Sequence, residues 1–525
     1  MKVAVVGSGV SGLAATWLLN EYSDHEVHLY EADSRAGGHA NTVSFTAPGV
    51  QNAQAVDLTP PELVFNPVTY PNFMRFLHLY PDLVAAIQPT AMTFSVSRDG
   101  GAFEWAGKSL SSVFCQPMRV FDRNMWRMLY DILRFNACAQ QILRDEAKAN
   151  VSVGEYLQNE GYSAAFKDNY LLPMVAAIWS TPPDKCALDF PVRTLIRFMN
   201  NHHLLQITGK PAWLTFCGGS RLYVDKIISS LPSRCLHLNS PVRAITTFPT
   251  TAPFLGVSKA THEVHLQLAS GETEVFDHVI LACHADTALE ILRWGGPGGG
   301  LSYDEERILG MFRFNRNEAV LHSDVRLMPK RRAAWSCWNY IMSSETAEKI
   351  GKTPEDTKHF ALTYYLPVLQ HLPDVHGPVL LTLNPPVEPA PGKVVARFQY
   401  DHPVIDSQAI HAQALVPSIQ NVRGITYAGA WLKYGFHEDG LTSGLRAALA
   451  LQGMLGGSAI RCPFEVRDAE YEPRSNVFLV FLFEVVERTG LRALLGFVLG
   501  LLLDILSSLL LALVRSSLRV LDCAV

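Results

Sequence analysis

The chain has 525 residues, 48% of them hydrophobic and 18% charged, with a formal net charge of −5. That length supports two lobes rather than one compact core, and an acidic balance without a sustained basic run excludes nucleic acid as an expected partner. The nine cysteines are scattered, with no CxxC pair and no zinc spacing, so reduced thiols in a cytosolic compartment are expected, and no metal site.

The first predicted element is an apolar strand over residues 3–6, of the kind buried in a parallel sheet. It runs directly into Gly7-Ser8-Gly9-Val10-Ser11-Gly12, then a helical stretch over residues 13–22 and a second apolar strand over residues 27–30 that ends on Glu31. In a dinucleotide-binding turn each glycine has its reason. Gly7 permits the tight bend, Gly9 lets the backbone approach a pyrophosphate, and Gly12 lets helix and strand pack closely. The helix N-terminus offers free N–H groups to phosphate. Glu31 is placed to accept a ribose hydroxyl, and Ala32 beside it is not the basic residue that suits a 2′-phosphate. The glycines also argue against reading this stretch as a signal-peptide core. A second glycine-bearing loop follows: Ala32-Asp33-Ser34-Arg35-Ala36-Gly37-Gly38-His39.

Residues 119–150 then carry apolar side chains at helical spacing, and Ser152 with Glu155 reads as a capping box opening the next helix. His202-His203 lacks a third ligand pattern and reads as structural. Pro241-Val242-Arg243-Ala244-Ile245, an alternating strand over residues 263–268, a turn at Ser270-Gly271, and Asp277-His278-Val279-Ile280-Leu281-Ala282 form strands returning to the first lobe. Strand-like runs at residues 379–383 and 394–400 lie in a second insertion, with Gly- or Pro-rich loops at 295–300 and 385–392. Residues 422–446 read as a strand, Gly429, a loop, and a helix opening near Gly440.

Taken together, these segments resemble the FAD-dependent amine oxidase and carotenoid desaturase superfamily. Its E-A-x-x-R-x-G-G-R extension matches Glu31 to His39, and its closing F-A-G-E … E-G-A-x-x-S-G motif matches Gly429 and Ala430 with Glu438, Asp439, Gly440 and Leu441. Within it, Gly38-His39-Ala40-Asn41-Thr42, Val64-Phe65-Asn66, Thr69-Tyr70-Pro71-Asn72, Trp338-Asn339-Tyr340 and residues 434–444 are similar to predicted FAD/NAD-binding oxidoreductases linked to cyclopropane-fatty-acid synthases. The resemblance covers residues 1–456. It implies an α/β fold, a Rossmann-type FAD-binding domain with an inserted α+β substrate domain. The former would comprise residues 1–70, 215–290 and 420–456, the latter 71–214 and 291–419. FAD would be held by Gly7, Ser8, Gly9, Val10, Ser11, Gly12, Glu31, Ala32, Arg35, Gly37, Gly38, His39, Val242, Gly429, Ala430, Asp439, Gly440 and Leu441. No cysteine falls within residues 434–444, so non-covalent attachment is expected. Two departures stand out. His39 occupies the place of an arginine, making a permanent cation titratable, and two residues after Asp57, where the family has a glycine, this chain has Thr59, followed by Pro60.

Enzymes of this kind pass a hydride from a C–H bond to the flavin, and the protein orients the carbon and excludes water. Trp338, Asn339, Tyr340, Trp431 and Tyr434 are the candidate residues near the flavin face, each with core packing as its alternative. His437 is the candidate acid or base, or a loop hydrogen-bonder. The expected substrate is hydrophobic, fatty-acyl or another lipid. A redox-neutral double-bond isomerase and a non-catalytic flavin-binding scaffold are the competing readings.

After residue 456, residues 457–475 read as a linker and 476–525 as a hydrophobic tail. Residues 493–514 hold eleven leucines and a single charge, Asp504. Their fifteen Leu, Ile, Phe and Val residues, at about −0.3 to −0.6 kcal/mol each, outweigh roughly +3 for a central Asp. Gly496, Gly500, Asp504 and Ser508 recur every four residues, with Arg515 near the same face. Spanning, lying in the interface and packing on the protein itself remain open for this helix. The chain is expected at the cytosolic face of an intracellular membrane, anchored at its C-terminal end.

Overall fold

The computed structural model describes residues 1–46, 56–59, 63–145, 151–179, 188, 190–206, 209–250, 261–296, 298–342, 360–454, 459–469, 471–472 and 476–522. The opening run forms strand β1 (Lys2–Val6), helix α1 (Val10–Tyr22) and strand β2 (Glu26–Tyr30). β1 is apolar from Val3 to Val6 because both faces of its sheet are covered. Val3 and Val5 pack with Leu13, Trp17 and Leu18 of α1, whereas Ala4 and Val6 pack on the opposite side with Val279, Leu281 and Leu292.

Three later strands complete this sheet: β3 (Leu236–His237), β4 (His278–Leu281) and β5 (Ile425–Tyr427). The order is β5-β4-β1-β2-β3, with every pairing parallel. Helix α1 follows β1 on one face, and α4 (Ala285–Trp294) follows β4 on the other. Adjacent strands thus send their helices to opposite sides. That is the topological switch point, where a crevice opens outside the carboxyl ends of the strands.

Helix α2 (Pro71–His78) buries Phe73, Phe76 and Leu77 in the α1 core, with the Phe76 ring 5.0 Å from Trp17. Helix α5 (His437–Leu449) lies along α1. A second, seven-stranded sheet has the order 394–403, 314–322, 380–383, 360–365, 338–342, 94–98, 103–106. It is antiparallel except where Trp338–Met342 pairs in parallel with Phe94–Arg98. Helix α3 (Arg123–Cys138) packs Met125 and Met128 on Val96, Trp105 and Tyr340 of this sheet, and the helix Val153–Asn159 packs with Phe135 of α3. The expected capping box is formed: the Glu155 N–H donates to Ser152 Oγ at 3.2 Å, and the Ser152 N–H to Glu155 Oε2 at 2.9 Å.

Residues 459–469 differ from the expected linker. Ile460, Cys462, Phe464 and Val466 alternate onto the α1 core, and the Arg467 N–H donates to Asn72 Oδ1 at 3.0 Å. Period-two apolar spacing holds this extended segment down. Beyond it come α6 (Val477–Arg488) and α7 (Leu491–Asp522), joined through Thr489 and Gly490. Over Leu491–Leu509 the mean hydropathy is 1.8, and α7 is long and apolar enough to cross a membrane. Of the Glu472-Pro473-Arg474-Ser475 connection, residues 473–475 lie outside the described residues.

Candidate active site

A cleft of about 410 Å³ opens where the switch point places it, within the range of small-molecule sites. Its walls come from the ends of β1 (Val6, Gly7), β2 (Tyr30, Glu31), β4 (Ala282, Cys283, His284) and β5 (Gly429, Ala430, Trp431). Of the residues expected to hold the cofactor, Gly7, Ser8, Gly9, Val10, Ser11, Glu31, Ala32, Gly38, His39, Val242, Gly429 and Ala430 line it.

The first loop is shaped by contact and by space. Gly7 has φ +98°, and a Cβ there would stand 3.0 Å from the Ala282 carbonyl oxygen. At Gly12 a Cβ would lie 1.8 Å from the Gly7 carbonyl oxygen, so the residue serves close packing. Gly9 differs: a Cβ would meet nothing within 4 Å, and the open volume belongs to the cleft. A backbone cradle that a side chain would fill is what a bound pyrophosphate needs.

Glu31 is held for its task. One carboxylate oxygen accepts from the Ser8 N–H at 2.9 Å, and the other from the Asp33 N–H at 2.9 Å. Lone pairs remain for a further donor such as a ribose hydroxyl. The second loop is tied to the first through the Gly37 N–H and the Ser8 carbonyl, 3.0 Å apart. Arg35 stands behind it, donating from Nη2 to the Gly38 carbonyl at 2.9 Å, while its Nη1 is buried without a partner. A buried guanidinium nitrogen left open beside a glycine-rich loop fits an anionic ligand.

Four histidines gather at the cleft: His39, His284, His402 and His437. The His39 ring centroid is 6.1 Å from His284 and 5.5 Å from His402. His39 opens to the cleft, yet its depth in the protein and then the neighbouring His402, His284 and His437 hold its pKa well below the ordinary value. Burial pushes His402 down to about 4 and His437 to about 3. These rings are neutral at neutral pH. The Nε2 of His437 is buried without a partner, its ring packed edge-on against Phe73 and Tyr223. Burial likewise raises the Cys283 thiol to about 12, so it does not present a thiolate.

The structure corrects several assignments. Asp439, Gly440 and Leu441 do not line the cleft. Asp439 accepts from the Phe436 N–H at 3.0 Å, capping its own helix, and faces a separate cavity of about 290 Å³; burial raises its pKa to about 6. Gly440 brings α5 against α1, since a Cβ there would meet Val10 at 2.5 Å, and Leu441 is core. Of the catalytic candidates, His437 and Trp431 line the cleft. Trp338, Asn339 and Tyr340 do not, because their strand lies inside the seven-stranded sheet. Asn339 spends its amide on Ser95, Ser336 and Thr363, and Tyr340 is fully buried. Tyr434 packs on Phe198 and His202. His202 donates from Nδ1 to the Phe198 carbonyl at 3.0 Å.

At the second departure from the family pattern, Thr59 is 2% exposed and its Oγ1 accepts from the Ser220 N–H at 2.8 Å. A Cβ at the facing Gly219 would lie 2.7 Å from that oxygen, so the glycine stands on the neighbouring loop. Pro60 and Pro61 lie outside the described residues. Cys283 and His284 escaped the sequence reading although they follow a strand it identified; the carboxyl end of that strand was the available signal. His402 follows no motif and gave none.

Residues 5–78 match the family model of NAD(P)-binding Rossmann-like domains. Among curated proteins nothing matches the chain. Solved structures do. A CLA-producing fatty acid isomerase from P. acnes has 13% identity and a TM-score of 0.55, covering 86% of this chain and 99% of that one. Cyclohexylamine oxidase from Brevibacterium oxydans has 14% identity and a TM-score of 0.54, covering 86% and 98%. A reduced UDP-galactopyranose mutase has 15% identity and a TM-score of 0.56, covering 87% and 94%. The chain therefore has the amine oxidase-like α/β fold, a Rossmann-type domain carrying an inserted α+β domain, with an apolar helix at its C-terminal end.

Proposed function

We propose that this chain is an FAD-dependent oxidoreductase that removes hydride from a C–H bond of a hydrophobic, fatty-acyl or lipid substrate. The observation that carries the reading is the convergence of residues 7–11, 31–32, 38–39 and 429–431, far apart in sequence, on one cleft at the sheet's switch point. FAD bound there supplies the hydride acceptor. Glu31 would hold its ribose, and the N–H groups at the start of α1, with Gly9, Gly38 and Arg35, its pyrophosphate. Phe314, Pro403, Trp431 and Phe436 give the cleft the apolar walls that exclude water and suit a hydrocarbon chain. His437 is neutral, with burial disfavouring its protonated form, so it serves as a hydrogen-bonding group rather than a cation. With Cys283 held as a thiol, the reading is of non-covalent attachment.

The likeness to a fatty acid isomerase over 99% of that chain favours one second reading, a redox-neutral shift of a double bond. The full-length protein purified in detergent should show the visible bands of oxidised flavin, and acid precipitation should release the chromophore. Anaerobic addition of long-chain unsaturated fatty acids should bleach it. Double-bond movement without bleaching would select the isomerase. A colourless folded protein indifferent to added FAD would end both, and the flavin-binding scaffold with them.

A further inference from the structure

The tail's two helices present one kind of surface outward. Their exposed large apolar side chains are all Val, Leu, Ile or Phe, with Phe478 70%, Phe481 63% and Phe497 68% exposed. Protein interfaces are enriched in Tyr, Trp and Met, and these helices carry none of the three among the described residues. Purely aliphatic and phenyl composition matches lipid.

Three acidic groups of the same helices pair with side chains of the protein. Tyr130 on α3 donates to Glu487 at 2.8 Å, Arg134 lies 3.3 Å from the same carboxylate, and Gln141 donates to Glu484 at 3.0 Å. On α7, Asp504 pairs with Arg123 at the start of α3. Gly500 makes room for that pairing, since a Cβ there would lie 2.7 Å from the Arg123 guanidinium carbon. Gly500 and Asp504 of the small and polar stripe are thereby used by the protein's own α3.

We infer that α6 and α7 form a hairpin embedded in a single leaflet of a lipid bilayer, with the end of α7 on the same side of the membrane as the catalytic lobes. The inference rests on reading the tail as a membrane anchor and decides how it sits. Spanning would place Asp504, ~20 Å along the helix from Leu491, inside a hydrocarbon core ~30 Å thick. Either the carboxylate leaves Arg123, or α3 is drawn in with it, and a charge at that depth is costly. Helix α6, ~18 Å long, is too short to cross and carries Glu484, Glu487 and Arg488. Lying flat buries the same apolar face and leaves every one of these pairs intact, with Arg488, 82% exposed in its side chain, at the helix turn to meet headgroups.

The test uses microsomes from cells expressing the full chain with an epitope after residue 525. Detergent and not high salt should release the protein, and external protease should remove the epitope without detergent. Phe497→Glu should weaken partition about tenfold or more with the flavin spectrum unchanged. An epitope protected until the membrane is opened would establish spanning and overturn the inference. Release by salt, or unaltered partition of the Phe497→Glu protein, would remove the lipid contact itself. Loss of flavin bands with the topology as expected would count against the enzyme reading alone.

Discussion

Gly9 and Gly12 stand three residues apart in one turn, yet a methyl group added at each meets opposite surroundings. At Gly12 it would meet a backbone oxygen at 1.8 Å, and at Gly9 it would enter the open cleft, where φ is an ordinary −63°. Gly9→Ala should keep its melting temperature within the range of a surface substitution, about 0.5 kcal/mol, while losing at least tenfold in FAD affinity, about 1.4 kcal/mol. Gly12→Ala should lose stability outright, read by thermal unfolding. His39 permits a second prediction. In the free protein its pKa is held well below the usual histidine value, and a pyrophosphate alongside adds negative charge that raises it. A pKa higher in the complex means proton uptake on binding, so affinity should rise as pH falls through the His39 pKa of the complex. Titration calorimetry in buffers of different ionisation enthalpy checks this, and His39→Arg should reduce the uptake.

At the scale of elements, the contact of α1 with α5 sets the geometry of the cleft. A Cβ at Gly444 would lie 2.0 Å from the Ser11 backbone oxygen, so the two helices touch backbone to side-chain root. Gly444→Ala must push α5 off α1 and shift the loop at residues 429–431 with it. Overpacking of this kind costs about 1–3 kcal/mol, and here FAD affinity should fall together with stability in equilibrium unfolding. Glu438 shows how a motif residue takes a different duty. Its carboxylate accepts from the Asn72 and Phe73 N–H groups at 2.9 and 3.0 Å, at the opening turn of α2. Burial raises its pKa to about 7 against the pull of those two donors. Glu438→Ala would leave both N–H groups buried and unsatisfied, so a loss of about 2–4 kcal/mol is expected, measured by denaturant unfolding, with α2 loosening from α1.

For the whole molecule, the cofactor reading predicts linkage between ligand and fold. Three sequence-distant stretches form one cleft, so a ligand bound across them stabilises only the folded state. FAD at a hundredfold over its Kd should add about 2.7 kcal/mol, seen as a rise in melting temperature that increases with FAD concentration; a melting temperature unmoved by FAD would contradict the assignment of the cleft.

The sequence alone fixed what depends on local chemistry. The strand–glycine–helix–strand–acid order at residues 3–31, the capping box at Ser152 and the apolar tail are each legible, because backbone sterics, a helix's unsatisfied N–H groups and hydropathy act over a few residues. Only tertiary structure decided the rest. It turned Asp439, Gly440 and Leu441 from the cleft, placed Trp338, Asn339 and Tyr340 inside a sheet, and brought His284 and His402 to His39 across more than 200 residues. It also turned Asp504 toward Arg123. Which face of an element meets the cleft is set by partners far along the chain, and periodicity within the element cannot carry that information.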